Sequence, residues 1–226
     1  MQHNPARCPV CREGLGGFFC VLDPEHINDI DRSKTTKSFR TGEVVFERGD
    51  SPQGLFCIVD GLIKVETEQE EGKSHILRLA GPGESIGYRA LFGRRRYEAR
   101  AVAHEDSKVH FIPRSTIDDL MIKQPQLSLK FLELLSEDIK QAEERLCAAT
   151  DKDSASRIAE TILFLDSNYT PDKPWTRKDI ADWAGTTPET VMRQLTQLEN
   201  QGMIASEGRR ILITDPSSLN QVAQTL

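Results

Sequence analysis

Long apolar runs are missing from this 226-residue chain: none approaches the roughly 18–20 residues that a membrane-crossing helix needs. Met1–Arg7 leads into cysteines and glycines rather than an apolar signal core, so a cytoplasmic protein without contact to a membrane is expected. A surplus of positive charge is missing too. The net charge is −6, and residues 151–226 alone hold eight Lys/Arg against eleven Asp/Glu. Binding of nucleic acid therefore requires basic side chains gathered on one local face, with the acidic ones elsewhere. Catalytic signatures are absent as well. There is no nucleophile elbow, phosphate-cradling loop or His-Glu-x-x-His pair, and His26, His75, His104 and His110 lie scattered without an obvious catalytic partner. An enzyme is not expected. The five cysteines are an odd number in a chain expected to be cytoplasmic, which favours thiols or ligands over disulfides. Repeats and low-complexity tracts are also lacking.

What is present divides into regions, as the length allows for two small domains. Between Phe39 and Ile112, short apolar and β-branched segments (Val44–Phe46, Leu55–Val59, Leu62–Glu66, His75–Ala80, Arg100–Ala103, Lys108–Ile112) alternate with glycine-bearing turns. That pattern predicts a barrel or sandwich of the jelly-roll kind. From Ser115 to Thr150 the period becomes helical, with Pro125 in the first turn of a long continuous helix. Leu132, Leu135, Ile139, Ala142, Leu146 and Ala149 recur at alternating three- and four-residue steps, the seam of a two-helix coiled coil. Leu127, Phe131 and Leu134 form a second apolar stripe suited to packing on the chain's own barrel. Two stripes predict two contacts, one of them a second copy of the chain. After a polar linker at Thr150–Ser154 the chain is again helical and ends in a short hairpin. The expected class is α+β, with a cysteine-bearing segment at 1–24, a β-roll sensor domain at 25–114, a dimerisation helix at 115–150 and a winged helix-turn-helix at 151–226.

The most informative segment is Trp175–Gly202, WTRKDIADWAGTTPETVMRQLTQLENQG. Thr176 and Asp179 are spaced as a capping box, and Gly185 ends the first helix in a sharp turn. Thr187 caps a second helix with Pro188 at its first position. Ala181, Gly185 and Val191 supply the small residue, the turn and the buried branched residue that two steeply crossing helices need. Val191, Leu195 and Leu198 anchor the second helix inward, leaving Pro188, Glu189, Thr190, Met192, Arg193, Thr196 and Gln197 for a DNA major groove. Arg193 can donate a bidentate pair to guanine, and Glu189 can accept from a cytosine amino group or orient Arg193 one turn away. Thr187 at the helix start suits a phosphate. Met203–Ala205 and Arg210–Ile213 read as a wing that places Arg209 and Arg210 near the DNA backbone. A packed helical hairpin with a surface Glu189–Arg193 ion pair is the bland alternative.

The order of β-roll, long helix and winged motif, with TRKDIADWAGTTPETVMRQLTQLENQGMI, resembles the CRP/FNR family of bacterial transcription regulators over nearly the whole chain from Cys8 onward. Its E-T-x-x-R recognition pattern is matched by Glu189, Thr190 and Arg193, although Met192 stands where FNR-like members usually carry serine. The resemblance implies a homodimer on palindromic double-stranded DNA and contact with RNA polymerase. Family members that bind cyclic nucleotides use a Gly-Glu and an Arg-Ser pair; here these fall at Gly87-Tyr88 and near Tyr97-Glu98, which disfavours such a ligand. Glu98 would repel the phosphate, and Arg94, Arg95 and Arg96 read as a solvated loop. Cys8, Cys11 and Cys20 are similar to the cysteine cluster of FNR-type oxygen sensors, which hold a [4Fe–4S] cluster. The fourth ligand position of that pattern is occupied by His110, and the eight-residue gap before Cys20 departs from it. Zinc, direct thiol oxidation and no cofactor remain alternatives for the three cysteines. Cys57 and Cys147 are expected to be packing residues.

Overall fold

A computed structural model of the chain describes residues 17–68, 74–169, 173–208 and 210–225. The glycine-punctuated strands are β2 (Val44–Phe46), β3 (Gly54–Asp60), β4 (Ile63–Glu68), β5 (Ser74–Ala80), β7 (Arg100–Ala103) and β8 (Ser107–Pro113). Two further strands, β1 (Thr35–Phe39) and β6 (Ser85–Ile86), complete two four-stranded sheets ordered β1-β8-β3-β6 and β2-β7-β4-β5. β1 has no apolar alternation because it is an edge strand, exposed along nearly its whole length and held by backbone pairing to β8.

Alternation along β3 and β8 separates two cores. Phe56, Ile58 and Val109 turn into the roll with Phe46, Ile63, Val65, Ile86, Tyr97 and Ala101. Leu55, Cys57 and Ile112 turn outward onto helices. β3 and β8 approach so closely at Gly54 that a Cβ there would lie 2.1 Å from the Ile112 carbonyl oxygen, so only glycine fits. The outer core gathers a 3₁₀ turn (Gly17–Val21), α1 (Pro24–Ser33), α2 (Tyr88–Gly93), α3 (Arg114–Lys123) and the first half of α4 (Pro125–Asp151). Phe131 of α4 is its hub, with ring centroids of Phe18 and Phe92 at 4.4 and 4.6 Å.

The two stripes of α4 diverge. Leu127 and Phe131 are buried, and Leu134 and Leu135 pack against the same core. Leu132, Ile139 and Leu146 are 59%, 59% and 66% exposed, and Ala142 and Ala149 are exposed as well. Leu135 thus takes part in inner packing, while Leu129, which the periodicity does not single out, stands exposed one turn before Leu132. Cys147 is exposed rather than packed, beside the exposed Leu146 on α4.

The chain forms two compact units, one of residues up to Thr67 with Leu77–Ile139, the other of Glu68–Ile76 with Lys140–Leu226. In the second, α5 (Ser154–Asn168), α6 (Arg177–Ala184), α7 (Pro188–Asn200) and α8 (Pro216–Ala223) surround Ile158, Ile162, Leu165, Ile180, Val191, Leu195, Leu198 and Leu219, and β9 (Ile204–Glu207) pairs with β10 (Arg210–Ile213). Arg145 lies over the Trp183 ring at 4.4 Å, and that ring stacks on Phe164. The capping box on α6 is reciprocal: Thr176 accepts from the Asp179 amide and Asp179 accepts from the Thr176 amide, both at 3.0 Å. Thr176→Ala is expected to lower stability by about 1 kcal/mol, measured as an earlier urea midpoint with an unchanged slope.

Candidate nucleic-acid interface

α6 stops at Gly185, whose left-handed conformation (φ 63°, ψ 46°) lets its amide close onto the Ala181 carbonyl. Two residues later Thr187 caps α7, accepting from the Thr190 amide at 3.3 Å, with Pro188 at the first helical position. Ala181 and Val191 are fully buried where the two helices cross. Val191, Leu195 and Leu198 form the inner stripe of α7, and Glu189, Met192, Arg193, Thr196 and Gln197 form a continuous exposed face, with Pro188 and Thr190 half-buried beside it. The helix therefore has one side committed to its own core and one side facing outward.

Glu189 does not orient Arg193 in this structure. Its carboxylate takes hydrogen bonds from its own backbone amide and from Thr187, which hold its pKa below the usual carboxylate range. A carboxylate in the first helical turn finds these donors before it finds a guanidinium one turn on. The Glu189–Arg193 ion pair of the bland alternative is accordingly not formed among the described residues, and the Arg193 side chain is exposed. Behind α7, Glu199 accepts from the Ser206 amide at 2.9 Å and ties the wing to the helix. The sequence does not announce that contact; a lone glutamate seven residues before a strand carries no signal. Arg210 is exposed at the start of β10, opposite Glu207, while Arg209 lies outside the described residues.

The β-roll has a cavity of about 250 Å³ lined by Phe46, Ile86, Gly87, Tyr88, Tyr97 and Ala99 among others. The Tyr88 hydroxyl donates to Asp138 on α4 at 2.6 Å, and Arg78 donates to the other oxygen of the same carboxylate at 2.8 Å. Tyr97 is buried and stacks on Phe46 with centroids 3.8 Å apart. The Glu98 side chain, expected to repel a phosphate, is 81% exposed and paired with Arg95. Arg94, Arg95 and Arg96 are exposed.

Of the cysteines considered as ligands, Cys8 and Cys11 lie outside the described residues. Cys20 is half-buried against the outer core. His110 is buried on the outward side of β8, its Nδ1 hydrogen-bonded to Thr36 Oγ1 at 2.9 Å. Its partner across the strands, Cys57, is fully buried, accepts from Ser85, and has its thiol pKa pushed up to about 12 by burial. A metal-ligating thiolate needs the opposite shift. Among the described residues, no three His, Cys, Asp or Glu side chains converge as a metal site; the ligand set Cys8, Cys11, Cys20 and His110 has two members outside the described residues. No helix of the described residues is long and apolar enough to cross a membrane.

A β-roll, a long helix and a winged helix-turn-helix with a free recognition face define a DNA-binding transcription regulator, not an enzyme. Family profiles agree: residues 36–124 match the cyclic nucleotide-binding domain and residues 156–222 the Crp-like helix-turn-helix domain. The chain is 31% identical over 225 residues to the fumarate and nitrate reduction regulatory protein of Escherichia coli, covering 94% of this chain and 90% of that protein. It is 29% identical over 227 residues to the anaerobic regulatory protein of Pasteurella multocida, covering 95% and 83%. FixK2 from Bradyrhizobium japonicum superposes with a TM-score of 0.75 at 23% identity, over 85% of this chain and 98% of that one. A CRP/FNR-family transcriptional regulator of Thermus thermophilus superposes with a TM-score of 0.72 at 25% identity, over 84% and 99%. The chain belongs to the CRP/FNR family of transcription regulators.

Proposed function

We propose that the chain acts in the cytoplasm as a homodimer that binds a palindromic operator through Arg193 and Glu189 of α7, and regulates transcription in contact with RNA polymerase. The observation that carries this reading is the split character of α7: its apolar stripe is fully used by its own core, and its polar face, with an exposed guanidinium in the N-terminal half, is left uncovered. Thr187, Pro188 and Thr190 at the helix start, with Arg209 and Arg210 on the wing, serve the phosphates. The exposed leucine and isoleucine side chains of α4 support the dimer. The test is a titration of palindromic DNA at two salt concentrations. A dimer neutralising six or more phosphates loses affinity on the order of 10³-fold between about 50 and 200 mM salt; a salt-independent interaction rules out DNA as the partner.

The signal in this reading enters through the cysteine-bearing N-terminal segment as thiol chemistry. Phe18 and Phe19 directly precede Cys20, and Phe18 packs on the hub residue Phe131 of α4, so a change in this segment is felt where the dimer helix is seated. Related proteins named for anaerobic regulation make a redox input the natural one. Protein purified without oxygen is expected to be colourless and free of iron, and its operator affinity to differ between dithiothreitol-reduced and diamide-oxidised samples. A brown, iron-bearing protein would replace the thiol reading with a metal cluster; identical affinities in the two states would remove the redox input.

A further inference from the structure

We propose that a cavity between α5 and the wing strand β10 is a binding site for a small aromatic zwitterion, a molecule with one ring, one ammonium group and one carboxylate. The cavity has a volume of about 240 Å³ and is lined only by residues of the second unit. Ile162 and Leu165 of α5 and Ile180 of α6 line it, all three buried. Half-buried Tyr169 and Trp175 and the 39% exposed Leu212 of β10 complete its apolar surface. Phe164 meets the Tyr169 ring edge-on, with centroids 5.9 Å apart, so one aromatic wall is already held in place.

Size and lining point to the ring. Protein interiors close apolar gaps, because atoms that face a void lose their contacts, and water finds few polar partners in such a lining. An apolar cavity of about 150 Å³ already accepts benzene. A cavity of about 240 Å³ therefore accepts a ring with a short side chain. It is smaller than the roughly 300 Å³ at which ligand pockets usually begin, which suits a single ring rather than a nucleotide. The charges point to the rest of the molecule. Two side chains of opposite sign line the same cavity, Asp166 in the last turn of α5 and Arg210 at the start of β10. They are not paired with each other among the described residues. An ammonium group is drawn to the Asp166 carboxylate and to the faces of aromatic rings. A carboxylate is drawn to the fork of Arg210, whose five donors serve more than one acceptor. A purely cationic ligand meets Arg210 and a purely anionic one meets Asp166; only a zwitterion satisfies both.

The site stands apart from the operator reading and is tested without DNA, on the full-length protein, with L-phenylalanine as the probe. Isothermal titration calorimetry is expected to show one site per chain with a dissociation constant on the order of 0.1 mM, ordinary for a ligand of this size. 2-Phenylethylamine lacks the carboxylate and 3-phenylpropanoate lacks the ammonium; each is expected to bind about tenfold more weakly, the loss of one charge-assisted hydrogen bond. Asp166 is exposed, so Asp166→Asn should fold normally. That variant is expected to lose the preference for L-phenylalanine over 3-phenylpropanoate and to keep the preference over 2-phenylethylamine, which no merely structural role of Asp166 would produce. Binding should also change the tryptophan fluorescence, and Trp175→Phe should lose that change while keeping the heat. Absence of saturable heat at millimolar L-phenylalanine, or equal affinity for all three compounds, overturns the proposal. So does an Asp166→Asn variant that still prefers L-phenylalanine to 3-phenylpropanoate.

Discussion

Arg193→Ala is expected to leave a folded protein of unchanged oligomeric state that binds operator DNA no better than a scrambled duplex. Nothing in the fold depends on this side chain: it is exposed, and the Glu189 carboxylate that could have paired with it is held instead by its own amide and Thr187. What is lost is a bidentate guanine contact worth about 1–3 kcal/mol of discrimination, and a two-fold operator loses it twice. A drop in specific affinity of about one and a half to four orders of magnitude follows, with residual binding that keeps a steep salt dependence because the proposed phosphate contacts at Thr187 and Arg210 remain. Arg193→Lys restores charge but not the planar fork, so it should recover non-specific affinity without selectivity. Fluorescence anisotropy with matched and scrambled duplexes separates the two. Retention of operator preference in the alanine variant would move base reading away from this residue.

The parts of the molecule that are legible in the sequence are those fixed by local chemistry. Gly185, the Thr176–Asp179 pair and Thr187-Pro188 each dictate a helix end within four residues, and all three behave as their side chains require. The glycine-bounded strands are legible for the same reason. What stays hidden depends on long-range pairing. β1 is polar and exposed, and exists only because β8 offers it a ladder. The Tyr88–Asp138–Arg78 network joins residues fifty and sixty positions apart, and no spacing rule announces it. That Glu189 and Arg193 stay unpaired is not legible either, because helical periodicity says which residues are neighbours, not which of several hydrogen-bond donors a carboxylate prefers.

The Tyr88–Asp138–Arg78 network also bears on how a signal travels. Asp138 is held by Tyr88 and Arg78 of the roll and is followed directly by Ile139 on the exposed stripe of α4. Phe131, two turns earlier, is held by Phe18. The inner side of α4 is therefore held at two points, by Tyr88 and Arg78 of the first unit and by Phe18 of the 3₁₀ turn, and its outer side is the proposed subunit seam. In the proposed dimer, relaxing either clamp is expected to re-register the seam and with it the spacing of the two recognition helices.

Ile139→Glu is expected to convert the protein to a monomer and to cut operator affinity by about two to four orders of magnitude. Ile139 is 59% exposed in the single chain, as are Leu132 and, at 66%, Leu146, so a carboxylate there adds little strain to the isolated fold. In a dimer the same position is apolar on both sides, and two facing carboxylates bring desolvation and like-charge repulsion together. The cost at the operator is larger than the loss of a few apolar contacts. With two reading units joined, binding of the second is intramolecular, and the avidity gain of about 10²–10⁴ is lost when they separate. Sedimentation velocity at micromolar concentration reads the first effect and binding to full and half operators the second. A monomer should bind both with the same weak affinity. Should Ile139→Glu sediment as a dimer with full operator affinity, the exposed stripe of α4 is not the seam, and the clamps at Asp138 and Phe131 lose their route to the DNA.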